Sequence, residues 1–506
     1  VYTFKQPEKT VVNQIQKVEY STIPNPLITT IGFFNFLHKE NNFNDFNRER
    51  LLPEMYNNEG PNIASADINK DGNPDFYIGG ARGQSGSLFI SQKEGTYKEI
   101  KTPFEQDAKS EDTDAIFFDS DNDGDLDLYV CSGGKSFSKF DYSLYDRLYI
   151  NDGYQNFVLN SQLLPFPTPL SSSTVSVYDF DQDGDDDIFV GERFQVETYG
   201  IPTNGYILEN KGNNTFEISP QDALNKIGLI TDSAWADLND DGIKDLVVSG
   251  EWMPISIFIN EKGTLKNKTK EYGLAETSGY WKTFKIVDVN NDGHLDIIAG
   301  NKGENSFFKG ESRMYVSDFD NNGTTEQIIC FKKDNNYYPI VDRDELISQI
   351  ASLKQKLLFY KDYANASMAS IFSKEQLDKA IKLDVKKVNT SLFINKNNTF
   401  IPLKLPNEIQ YSNVEAIEIF DANHDGYLDL FFGGNQYLVK PQFGRQDASQ
   451  GWLVYGDKNY EFKKVIPLNI KGQIRDFNIS KINDKNYLLT AINNDSLQFY
   501  EINQLK

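Results

Sequence analysis

One nine-residue pattern occurs seven times in this chain: Asp, any residue, Asp or Asn, any, Asp or Asn, Gly, two more residues, then Asp or Glu. The copies begin at Asp67, Asp119, Asp179, Asp237, Asp288, Asp318 and Asp421. On a tight loop, positions one, three and five can aim their side-chain oxygens at one centre. The glycine at position six permits a backbone turn that other residues resist. Position seven can offer its carbonyl, and the acid at nine can close the shell. An all-oxygen cage of this kind suits a hard cation, and calcium takes roughly six to eight such ligands.

The candidate ligands follow copy by copy. The first loop has Asp67, Asn69, Asp71, Asn73 and Asp75, and the second has Asp119, Asp121, Asp123, Asp125 and Asp127. The third has Asp179, Asp181, Asp183, Asp185 and Asp187, and the fourth Asp237, Asn239, Asp241, Ile243 and Asp245. The fifth has Asp288, Asn290, Asp292, His294 and Asp296. The sixth has Asp318, Asp320, Asn322, Thr324 and Glu326, and the seventh Asp421, Asn423, Asp425, Tyr427 and Asp429. The sixth is the barest, with Asn322 at position five. Lys70 and Lys244 fall inside two loops at non-ligand positions. A single Asp/Asn/Gly cluster is usually only a turn, but seven with acids at the same offsets are poorly explained that way. An EF-hand loop begins similarly and ends with Glu at position twelve. Here the acid comes three residues sooner. Magnesium fits less well, because it demands a stricter octahedron.

The flanks read as strands. Ala115-Ile-Phe-Phe118 precedes the second loop and Leu126-Asp-Leu-Tyr-Val130 follows it, with the β-branched and aromatic character of strands. Each loop is therefore the tip of a hairpin. The first five copies start 52, 60, 58 and 51 residues apart, a unit size that suits a four-stranded propeller blade. In the first unit the strands run near Ile63, Asp75, Ser87 and Tyr97. One such sheet cannot bury both faces alone, so neighbours must stack and the ring must close.

These units resemble FG-GAP (VCBS-type) repeats, the blades of the integrin-α N-terminal propeller, from about Leu51 to Tyr500. Leu52-Pro-Glu-Met55, Glu251-Trp-Met-Pro254 and Phe443-Gly-Arg-Gln-Asp-Ala-Ser449 are similar to segments of large FG-GAP proteins of Bacteroidota cell envelopes. The resemblance implies an all-β propeller of four-stranded antiparallel blades, seven rather than eight. It also implies a cell-surface setting and a ligand-binding face. Beginning at Val1, without Met or an apolar targeting run, the chain reads as a mature form, a domain or a fragment.

The spacing breaks after the fifth copy, with 30 residues to Asp318 and then 103 to Asp421. A helical insertion at 341–385 is expected within a propeller spanning 51–506. Leu346, Ile350, Leu353 and Leu357 recur at helical intervals, and Ser373-Lys-Glu-Gln376 reads as a capping box opening a helix through Lys382. Ser391–Ile394 and Thr399–Ile401 look like outer strands of the interrupted blade. The outer strands of the Asp288 unit have no obvious place. Residues 1–50 form an N-terminal segment, from which a strand near Val1–Lys5 could complete the last blade.

The formal net charge is −23, and the loops hold 23 carboxylates at positions one, three, five and nine. The cages alone account for the acidic excess. Without metal these groups repel one another, so a cation should stabilise the fold by binding the native state preferentially. Acidity argues against nucleic acid as a partner, and no stretch reaches the roughly 20 apolar residues of a membrane helix. Cys131 and Cys330 lie in strand-like runs of different units and read as buried small apolar residues. Zinc spacings, nucleophile motifs and phosphate loops are absent. Nearly all close carboxylate pairs lie in the cages, which disfavours glycosidase-type chemistry.

After the second strand of most units comes a glycine followed by a polar residue. The series places Arg82, Lys135, Arg193, Trp252, Lys302 and Gln436 around the face opposite the cages. Two readings of this ring compete: a partly basic ligand face, or sharp turns whose basic residues pair with neighbouring acids. The expectation for the whole is a secreted or cell-surface module that holds up to seven calcium ions and binds a protein or glycan, with other outer-membrane proteins as candidate partners. The alternative is an extracellular polysaccharide-active enzyme on the same scaffold.

Overall fold

The innermost strand of each repeat packs against the innermost strand of the next, and the last returns to the first. In order these strands are Ile63–Ala66, Asp112–Phe118, Ser172–Tyr178, Leu229–Ala236, Thr283–Val287, Val414–Phe420 and Gln473–Ile482. The structure is a computed structural model and describes residues 27–29, 32–308 and 310–503. Each innermost strand opens an antiparallel sheet of four strands, with Gly279–Tyr280 as a short fifth strand in the fourth, so the ring is a seven-bladed β-propeller.

The hydrophobic core is divided among the joints of the ring. Tyr77 and Leu88 of the first blade meet Leu128 and Tyr149 of the second. Cys131 and Leu148 of the second meet Val190 and Leu208 of the third. The pattern continues to the seventh blade, whose Leu489 and Phe499 pack on Phe76 and Phe89 of the first. Alternate residues of a strand face opposite sides, so the middle strands bury both faces between two neighbours. Asp127–Ser132 is buried at every position.

A second device stitches the innermost strands together. Five of them carry a β-bulge that leaves Thr113, Ser173, Thr231, Glu415 or Arg475 unpaired in the ladder. A bulge re-aims its side chain. Three of these hydroxyls donate to carbonyls of the next blade: Thr113 to Ser172 at 2.8 Å, Ser173 to Ile230 at 2.9 Å and Thr231 to Trp281 at 3.0 Å. Glu415 and Arg475 instead form an ion pair at 3.5 Å. One residue after three of the bulges stands Asp114, Asp232 or Asp476, accepting the backbone N–H of Val175, Phe284 or Ile63 in the next blade at 2.9 Å. The innermost strands surround a polar channel of about 740 Å³.

The seventh blade takes its outer strand from the N-terminal region. Leu27–Thr29 pairs antiparallel with Gln498–Ile502. The expected strand at Val1–Lys5 lies outside the described residues.

An eighth four-stranded sheet stands apart from the ring. It comprises Asn336–Pro339, Glu326–Lys333, Ser312–Ser317 and Ile381–Val385. It is inserted in the fifth blade, between Asp296–Gly300 and the outer strands Ser391–Asn395 and Phe400–Lys404. Those two strands are therefore the missing outer half of the Asp288 unit, and the Asp318 loop belongs to the insertion. Short helices at Arg343–Gln349 and Lys374–Lys379 cover one side of the inserted sheet over Tyr315, Ile328 and Cys330. Ser373 and Gln376 form the expected capping box, but the helix ends at Lys379 and the chain re-enters the sheet at Ile381. The other side, with Met314, Val316 and Ile329, packs on the propeller and on residues Leu52 and Tyr56.

Candidate metal centres and the strapped face

All seven repeat loops share one backbone geometry. The first carboxylate accepts two N–H groups, from positions five and six. In the third loop Asp179 takes Asp183 at 3.0 Å and Gly184 at 3.1 Å, and in the sixth Asp318 takes Asn322 at 3.0 Å and Gly323 at 2.9 Å. The position-five side chain then accepts the N–H of position seven, as Asp425 does from Tyr427 at 2.9 Å. Gly184 has φ +103° and no atom within 4 Å of where a Cβ would stand. Its requirement is conformational rather than steric.

The position-nine acids are buried and organise the blade. Asp187 accepts Phe180 N–H at 3.0 Å with one oxygen and Asn210 N–H, from the third strand, at 2.8 Å with the other. The pattern recurs at Asp75, Asp127, Asp245, Asp296 and Asp429. Burial pushes these carboxyls up, to about 6 in Asp75, Asp127, Asp245 and Asp296 and about 7 in Asp187 and Asp429. Acids at positions one, three or five of the same loops raise them further in most copies. Clustered carboxylates held in this way are stabilised by a bound cation.

In three loops the carboxylate oxygens of positions one, three and nine converge within 4.8 Å of one another: Asp119, Asp121, Asp127; Asp179, Asp181, Asp187; and Asp318, Asp320, Glu326. Glu326 supplies the ninth-position acid in the inserted sheet, so the barest copy keeps the same convergence. The four remaining loops carry Asn at position three, and its amide nitrogen meets the position-five acid, as Asn239 meets Asp241 at 2.9 Å.

An Asn ending the third strand ties cages of adjacent blades together. Asn210 Nδ2 donates to Ser120 O at 3.0 Å and Asn260 Nδ2 to Phe180 O at 2.8 Å, each a loop carbonyl of the preceding blade. Asn151, Asn210, Asn260 and Asn395 recur at this place, a repeat signal that attention to the acids alone passes over.

The opposite face differs from the expected open ligand ring. Lys135, Arg193, Trp252, Lys302 and Gln436 are all buried, and Arg82 is half-buried. Residues 45–62 run across this face as a strap, and its acids meet the ring's cations. Glu49 pairs with Lys135, Glu54 with Lys302, and Glu59 with Arg193 at 3.0 Å. Glu251 lies under Arg193 at 2.9 Å and Lys282 at 2.8 Å. Burial alone would raise the Glu251 carboxyl, but Arg193 and Lys282 hold it down at about 2. Trp252 donates to Tyr199 Oη at 2.9 Å, and Arg82 donates to Ser136 O at 2.8 Å. Arg82, Lys135, Arg193, Trp252 and Lys302 thus serve internal pairing. Buried cations require partners, and here the chain supplies them. The sequence carried one signal for it: Glu49, Glu54 and Glu59 recur at intervals of five.

Fold and loops together define a β-propeller built from acid-loop repeats. The family model described as "FG-GAP-like repeat" matches residues 41–130 and 237–299. The chain thus carries FG-GAP-like repeats within a β-propeller. No curated protein matches it in sequence. Among solved structures, it is similar to BBS1N in a complex with ARL6DN, with 10% identity, 96% of this chain and 99% of that one covered, and a TM-score of 0.43. It is also similar to Saccharomyces cerevisiae Sqt1, with 9% identity, 90% and 99% coverage and a TM-score of 0.40. The V. cholerae biofilm matrix protein Bap1 gives 10% identity, 92% and 91% coverage and a TM-score of 0.39. Similarity this low carries no functional information.

Proposed function

We propose that this propeller is a calcium-binding recognition module that engages a protein or glycan at the cell surface, in association with other outer-membrane proteins. One observation carries the calcium reading: seven loops repeat the same preorganised oxygen arrangement, and in three of them acids from three positions converge. Every carboxylate at position one has its outer lone pairs engaged by backbone N–H groups, which is how a ligand is aimed before the ion arrives. Cations at the hairpin tips would offset the repulsion among the acids and hold the two strands flanking each loop in register. The binding role rests on the propeller architecture. On the strapped face a partner would meet the strap and the inserted sheet, since the ring beneath is internally paired.

Elemental analysis of the purified chain, with melting temperature measured in calcium and in EGTA, tests the metal reading. Several bound calcium ions and a melting temperature lowered by EGTA are expected. No bound divalent ion, with unchanged melting, overturns it. A glycan array and a pull-down from native membranes test the binding role.

A further inference from the structure

Away from the repeat loops, two carboxylates are buried without a cation to pair with. Glu111 precedes the second blade and is 1% exposed. Its Oε2 accepts the N–H of Arg82 at 2.7 Å, while its Oε1 has no partner. Glu40, on the approach to the strap, buries both carboxylate oxygens with only the Asn58 side chain and the Asn41 N–H beside them. Neither acid forms an ion pair among the described residues. The guanidinium of Arg82 is turned away, onto Ser136 O and the Phe137 ring. Arg475 lies within electrostatic range of Glu40 but is engaged by Glu415, Asn435 O and Asn58 O.

Amide oxygens share this pocket. Asn57 is fully buried, gives its Nδ2 to Asn41 Oδ1 at 2.8 Å, and leaves its Oδ1 unpartnered. Asn41 in turn reaches Glu111 Oε2 at 3.4 Å. The Asn57 Oδ1 and the Glu111 side chain meet over Gly134, at 3.6 and 3.4 Å from the point a Cβ there would occupy. The Asn58 amide N–H points to the Glu40 carboxylate, and the Asn58 Oδ1 is unpartnered. Burial pushes the Glu40 carboxyl up to about 7. Burial also raises Glu111, and Glu40 is the next largest cause. Uncompensated buried oxygens of this kind cost about 1–3 kcal/mol each, and more when charged.

We propose that Glu40, Glu111, Asn57 and Asn58 hold one further divalent cation of the calcium class, clamping the N-terminal segment to the rim of the second blade. The donors are all oxygen, two carboxylates balance the ion's charge, and Gly134 leaves the space a side chain would fill. The site is independent of the nine-residue loops. Its ligands come from three separate stretches of chain, and its occupancy fastens the strap rather than a hairpin.

The test is a calcium count per chain for the wild type, Glu111→Gln and Asn57→Asp, each checked for native far-UV dichroism. It is joined by a crystal structure of the wild type grown with calcium. Glu111→Gln is expected to bind one ion fewer than wild type, whatever number the loops bind. Asn57→Asp is expected to keep that ion and bind it at least tenfold tighter. The crystal should show density bridging Glu40 and Glu111 at cation–oxygen distances. An equal count in wild type and Glu111→Gln, or a water bridging the two carboxyls through a shared proton, overturns the proposal. If Glu111→Gln does not fold, the crystal structure decides alone. Loops empty of metal with this site filled would sink the loop reading and leave this one standing.

Discussion

The carboxylate of Asp476, in the seventh blade, accepts the backbone N–H of Ile63, in the first, at 2.9 Å. These residues are 413 positions apart, and the bond lies at the seam where the ring closes. Asp114 and Asp232 make the same bond to Val175 and Phe284 at two other joints. Closure thus reuses an interior joint.

Replacing Asp476 with Ala should leave the Ile63 N–H unsatisfied, at a cost of about 1–3 kcal/mol. Urea denaturation would measure it. Asp114→Ala should cost a similar amount, since the two positions are equivalent in the ring. A loss confined to Asp476 would show that the seam is weaker than the other joints.

The strap pairs predict a sign for charge removal. Glu251 holds Arg193 and Lys282 beneath the strap. Glu251→Gln should therefore destabilise by about 3–5 kcal/mol, because it removes the buried charge shared by Arg193 and Lys282 and leaves them only Glu59 and the more distant Glu415. Lys379→Ala, on an exposed helix pair with Glu375, should change stability by less than about 0.5 kcal/mol. Equal effects on thermal unfolding would contradict the burial of the ring.

The position-nine carboxyls predict the pH dependence. In the metal-free protein their folded pKa values, about 6 to 7, lie above the unfolded value near 4. Their contribution is full below pH about 4 and is lost as pH rises through 6 to 7. Melting in EGTA should therefore fall between pH 5 and 8. Glu251, held at about 2, has the opposite sign, but its contribution is lost only as pH falls below this range. With calcium present, deprotonation favours the ion, so the gap between calcium and EGTA curves should widen with pH. Parallel curves would count against metal at these loops.

Gly184→Ala meets no atom but must adopt φ +103°. It should cost about 1 kcal/mol and weaken calcium binding at the third loop alone, as read by isothermal titration of the variant against wild type. A loss of many sites would indicate coupling between cages through the Asn bridges.

The acid spacing and the flanking strands carried the repeat, the blade and the candidate cages, because each depends on residues near one another in sequence. Period-two burial and a glycine in the left-handed region are local requirements, so Ile63, Asp75 and Ser87 announced their strands without a neighbour's help. The Asp318 copy looked like another blade for the same reason: a hairpin motif is identical whether its sheet joins the ring or stands outside it. Only packing separates the two, since Met314 and Val316 face Tyr199 and Trp252 instead of an adjacent blade. Likewise the basic residues after each second strand were visible, but their fate depended on Glu49, Glu54 and Glu59 crossing the face. An ion pair between distant segments has no local signature. The tertiary structure decided it by burying cations whose desolvation only those acids offset.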